Sequence, residues 1–151
     1  MNLSEHFTLT ELTVTATGSP NAPATPQHLQ NLEKLAREIL EPIREWSGGP
    51  LHITSGYRTP VVNEKLRLSG YAASKKSQHL VGEAADFVSY QRPLAQLWWA
   101  IAAKKEIPIS WGQCILYFHD RRPRFIHISL PTEKLRNEVL ICINSCFHRL
   151  A

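Results

Sequence analysis

An aspartate stands in the middle of the apolar run Ala84, Ala85, Asp86, Phe87, Val88. Such a run reads as a buried strand, and an ionised carboxylate inside one is costly unless it is paired with a cation or bound to a metal. Any fold for this chain must therefore bring a cationic partner to Asp86. Upstream, His79 follows the polar run Ser74, Lys75, Lys76, Ser77, Gln78, so the stretch Ser77–Phe87 (SQHLVGEAADF) sets a histidine and a buried carboxylate seven residues apart.

A zinc ion would supply the missing charge. Zinc takes imidazole nitrogen and carboxylate oxygen at about 2.0–2.2 Å, and catalytic sites use three protein ligands and leave a fourth position to water. His79 and Asp86 provide two. His127 in FIHISL is the natural third, because strand alternation puts Phe125, His127 and Ser129 on one face and Ile126, Ile128 and Leu130 on the other. The plainer reading of these residues has Asp86 capping a turn and His127 serving as a hydrogen-bonded core histidine.

The chain has 151 residues, enough for one compact domain, and its 43% hydrophobic and 20% charged composition excludes disorder and a membrane span. A net charge of +4 suits approach to a polyanionic surface such as a bacterial cell wall. The basic residues are scattered rather than gathered into a stripe, so no nucleic-acid partner is expected. The start, MNLSEHFTLTEL, lacks the basic end and apolar core of a secretory signal, which places synthesis in the cytosol. A monomer is expected. Cys114, Cys142 and Cys146 are an odd number and are read as free thiols. The alternative is a structural zinc on Cys142, Cys146 and His148, with the two cysteines one helical turn apart.

Phe7–Val14 reads as a short extended segment in which Thr8 or Thr10 caps a helical turn at Glu11 and Leu12. A Gly- and Pro-containing loop follows, and Thr25 before Pro26 opens an amphipathic helix to about Trp46, which Pro42 kinks or tightens. Leu51–Thr54 is a strand running into SGYRTP. There Arg58 is presented beside a tyrosine, either as a bidentate anchor for a substrate carboxylate or as a surface arginine in a turn. Helical spacing returns over Val62–Leu68, with Asn63 facing back toward that turn, and the polar segment Ser69–Ser77 borders a cleft. Pro93 opens another helix, in which Trp98 and Trp99 are core and cover. Gln113–Phe118 and FIHISL form a hairpin around the charged turn His119–Arg124. Lys134–Leu150 holds a short strand or a terminal helix.

Taken in order, SGYRTP, SQHLVGEAADF and FIHISL resemble the zinc D-Ala-D-Ala carboxypeptidase and L-alanyl-D-glutamate endopeptidase family, most closely its short members carried by bacteriophages and prophages. The resemblance spans Phe7 to about Leu140, leaving 141–151 as a C-terminal extension of a single domain. It rests on S-x-H, six residues, then D, and a later strand-borne H, met by Ser77, His79, Asp86 and His127. It implies an α+β fold shared with hedgehog signalling domains, a small antiparallel sheet flanked by helices. It also implies zinc ligation by His79, Asp86 and His127, substrate binding by Arg58, Ser77 and Gln78, and a peptidoglycan stem-peptide substrate reached after phage-assisted release.

One part of the family pattern is missing. Members carry a general-base Glu or Asp three residues before the last ligand, or a Glu at the end of the QLI-type strand, and this chain has Arg124 and Tyr117 there. A base must reach both the attacking water and the leaving amine. The candidates are Asp120, whose hairpin is expected to bring it near His127, and Tyr117. Three readings follow: a working peptidoglycan peptidase, a catalytically weak zinc-containing module that binds cell-wall peptides or a partner, and a domain without zinc.

Overall fold

The computed structural model describes residues 1–71 and 73–150. Its N-terminal helix α1, Leu9–Leu12, is capped as the Thr-x-x-Glu spacing demands: Thr8 accepts from the Glu11 amide and Glu11 returns a carboxylate to the Thr8 amide. Helix α2, Pro26–Leu35, starts at Thr25, runs through a π-helical turn at Ala36–Leu40, and continues as α3, Glu41–Ser47. Pro42 explains the turn. It has no amide hydrogen to donate and its ring presses on the carbonyl four residues back, so the ladder gains a residue and the Glu41 amide bonds to Ala36. The helix is thereby widened, where a kink or tightening was expected.

Six strands form one sheet in the order β1 (Leu51–Ser55), β2 (Ala84–Ser89), β4 (Arg122–Ser129), β3 (Gln113–His119), β5 (Glu138–Ile143), β6 (Cys146–Arg149). All neighbours run antiparallel except β3 and β5. The α+β expectation therefore holds, as a mixed sheet with helices. Helix α4 is Pro60–Leu68 and α5 is Leu94–Ala102; a 3-10 turn spans Gln78–Val81. Trp98 is buried and Trp99 is exposed, as core and cover.

Strand alternation divides the molecule. Ala85 and Phe87 of β2, Leu116 of β3, and Ile126 and Ile128 of β4 face a core shared with Leu32, Leu35, Ile39, Leu40 and Leu97 of the helices. The opposite positions, Asp86, Ile115, Tyr117, Phe125, His127 and Leu140, line a cleft. One face buries apolar surface and the other carries the polar groups.

Residues 138–149 form a hairpin of two short strands, the strand alternative for this stretch rather than the terminal helix, and residue 140 lies within β5. Its register pairs Cys142 with Phe147 and Ile143 with Cys146, so the two thiols lie on opposite faces and cannot share a metal with His148. All three cysteines are free. The β3–β4 turn is also tighter than expected, with only Asp120 and Arg121 outside the strands, both at positive φ. Among the described residues no helix is long and apolar enough to cross a membrane.

Candidate metal centre

Asp86 and His127 face each other across the β2–β4 ladder, so strand register alone brings them together. The third group comes from outside the sheet. His79 sits on the 3-10 turn, which Ser77 caps by accepting from the His79 amide, and two further bonds tie that turn to the segment after β1. The Arg58 amide donates to the His79 carbonyl at 3.0 Å, and His79 Nδ1 donates to the Gly56 carbonyl at 2.6 Å. Glycine is required at 56, because a Cβ there would stand 2.2 Å from the Leu12 carbonyl. Gly82 closes the turn at φ +76°, where a Cβ would strike the His28 carbonyl.

The three donor atoms converge. Asp86 Oδ1 lies 2.8 Å from His127 Nδ1 and 3.3 Å from His79 Nε2, and the two nitrogens are 3.2 Å apart. Donors held about 2.0–2.1 Å from a tetrahedral ion are separated by about 3.3 Å, so the triangle is close to the size such an ion needs. The bond to Gly56 places the His79 proton on Nδ1 and leaves the Nε2 lone pair for the metal. Burial holds His79 below its ordinary range, which keeps it neutral. Burial would raise Asp86, but the two histidines outweigh it and hold the carboxyl well below its usual range. Two imidazole nitrogens and one carboxylate oxygen are a donor set that zinc takes. Asp86 caps no turn.

Its cationic partner is Arg58. The guanidinium donates from Nη2 to Asp86 Oδ2 at 3.1 Å and from Nε to Ser55 Oγ at 2.9 Å, with Asn63 Oδ1 3.5 Å from Nη1. Arg58 is only 2% exposed. It lines the cleft, yet three of its five N–H groups are directed at the protein. Nor is it a surface arginine in a turn. Asn63 faces back toward the turn as expected and also donates to the Ser74 carbonyl.

A sequence model for the peptidase M15 family matches residues 5–129, which include all three donors and Arg58. The chain belongs to the peptidase M15 family. No curated protein matches it. The M15 match ends with β4, so the β5–β6 hairpin lies beyond it.

Around the M15 donor triangle the cleft measures about 390 Å³ and is lined by Tyr71, Lys76, Ser77, Gln78, Gln113 and Tyr117 among others. Ser77 and Gln78 reach it, although the Gln78 amide nitrogen is held by Glu83 and the Leu130 carbonyl. Tyr117 stacks on Phe125 at 4.4 Å, and burial first, then the Asp86 charge, raises its phenol so that it stays protonated. Asp120 is not brought in. Ile115 pairs with His127 and His119 with Arg122, so Asp120 lies five residues along the hairpin, about 17 Å at ~3.3 Å per residue. Its side chain is 79% exposed and pairs with His119. The expectation that the hairpin carries Asp120 to His127 fails because two-residue closure makes β3 and β4 long and points their tip away from the cleft.

Sequence reasoning passed over Tyr71, whose hydroxyl donates to Asp86 Oδ2 at 3.2 Å, and the apolar wall of Leu140 and Phe147. A lone aromatic in the polar stretch 69–77 was the available signal for Tyr71. None marked the wall, which depends on parallel pairing of β3 with β5.

Proposed function

We propose that this chain is a zinc-dependent peptidase of peptidoglycan stem peptides, trimming a terminal D-Ala or cutting the L-Ala to D-Glu bond. The observation that carries this reading is the buried triangle of His79, Asp86 and His127 opening on a cleft, in a chain of a peptidase family. When bound by these three residues, zinc would act as a Lewis acid on the scissile carbonyl and acidify water. The chain's own groups do the rest. Gly56 fixes the His79 tautomer, Ser77 and Gln78 shape the wall along which the peptide lies, and Tyr117 offers its hydroxyl proton to the substrate's carbonyl oxygen. The protein would work as a monomer at the cell wall after phage-assisted release. Digestion of purified peptidoglycan with zinc-loaded protein, with fragments identified by mass, tests this. Release of D-Ala or of L-Ala-terminated glycan supports it, and stem peptides whose masses are all unchanged overturn it.

A specific observation favours a second reading. Among the described residues lining the cleft, Asp86 is the only carboxylate, so no protein acid stands free to serve as general base. A zinc-containing module that binds cell-wall peptides with little turnover would have this cleft. Retention of the zinc-loaded protein on peptidoglycan without fragment release would identify it.

A further inference from the structure

The two oxygens of Asp86 are used differently. Oδ1 faces His127 and His79, while Oδ2 accepts from Arg58 at 3.1 Å and from the Tyr71 hydroxyl at 3.2 Å. The two donors reach Oδ2 from different parts of the chain. Arg58 belongs to the segment between β1 and α4 and is braced by Ser55 and Asn63. Tyr71 lies beyond α4, in the polar segment that borders the cleft. Its ring lies parallel to Phe125 at 6.3 Å and receives the Arg58 guanidinium at 5.3 Å from its centroid. Each donor therefore supports the other as well as the carboxylate.

A carboxylate with both oxygens free can swing or bind a cation through both. With Oδ2 held by two donors, one of them charged, only Oδ1 remains for the ion. We propose that Arg58 and Tyr71 are positioning residues for Asp86, fixing it as a single-oxygen ligand, and that Tyr71 couples metal affinity to the segment bordering the cleft. This rests on the zinc reading above and gives Arg58 a different role from gripping a substrate carboxylate.

The test is zinc affinity, measured by competition with a chromogenic chelator, together with the visible spectrum of the cobalt-substituted protein. Tyr71→Phe removes one hydroxyl and keeps the stacked ring. It is expected to weaken zinc about 10-fold, within the ~10–100-fold range for partners of metal ligands. The cobalt bands should lose intensity as Asp86 moves toward two-oxygen ligation. The melting temperature of the metal-free protein should stay close to that of the parent. Arg58→Lys keeps the charge but not the fork, and is expected to weaken zinc further. Parent affinity and an unchanged cobalt spectrum in Tyr71→Phe would overturn the inference, as would a loss of metal-free stability with no change in affinity. If the parent protein itself takes up no zinc, the zinc reading fails and this inference with it; zinc binding that His79→Ala abolishes but that Tyr71→Phe and Arg58→Lys both leave at parent affinity overturns the inference alone.

Discussion

His79 alone of the three donors is carried by a turn rather than by the ladder. His79→Ala should abolish stoichiometric zinc binding on metal analysis while leaving the Asp86–Arg58 ion pair in place. Removing the arginine is different: truncation at 58 leaves an uncompensated buried charge, which typically costs about 3–5 kcal/mol. Arg58→Ala should therefore lower denaturant stability by roughly that amount even without metal. At 117 a carboxylate would stand where the phenol now lines the cleft. General bases contribute about 100- to 10,000-fold, and the lost hydroxyl donor offsets part of that, so Tyr117→Glu should raise peptide cleavage by less than the full general-base gain. Asp120→Asn should leave cleavage within about twofold, since its carboxylate is exposed at the hairpin tip.

At the level of elements, the sequence was most informative where local chemistry is self-sufficient. Thr8 with Glu11 and Thr25 with Pro26 each start a helix because cap and first turn satisfy one another within four residues. The charged hairpin and the C-terminal end were less legible, since strand length and hairpin register depend on partners distant in sequence. The segment after β1 illustrates this dependence. Gly56 passes against Leu12 while its carbonyl holds His79, so Gly56→Ala must shift backbone on one side or the other. Overpacking of this kind costs about 1–3 kcal/mol. The variant should melt lower and bind zinc more weakly, as a melting curve and a chelator titration would show.

For the molecule as a whole, a metal held by the three buried donors would be linked to the fold. Zinc at 100 times its dissociation constant should stabilise the protein by about 2.7 kcal/mol, or roughly 5–10 °C for a domain of this size, and chelation should reverse the shift. Acid acts at a second place. Burial alone would raise Glu41, but bonds from Ser4 and from the His6 amide and ring hold it below its ordinary value of 4.5. A carboxyl with a depressed folded-state value contributes stability that is fully present above about pH 4.5 and lost as pH falls through the lower value. Glu41→Gln should flatten that part of the pH–stability curve, with little change in zinc affinity because Glu41 lies outside the metal cleft.

What the sequence determined by itself was the donor set and the two-sided character of the strands. A carboxylate in an apolar run and a histidine in another are visible without coordinates, and the alternation that turns Ile126 and Ile128 inward turns His127 outward. Tertiary structure decided which groups answer those donors. Arg58, 28 residues before Asp86, supplies the countercharge that the sequence argument assigned to a metal, and Tyr71 supplies a second donor. Asp120, seven residues from His127, is carried away from it. Sequence separation measures neither case, because a buried ion pair is set by how the segments around the sheet close over one another, while a hairpin tip moves outward by about 3.3 Å for every residue its strands add.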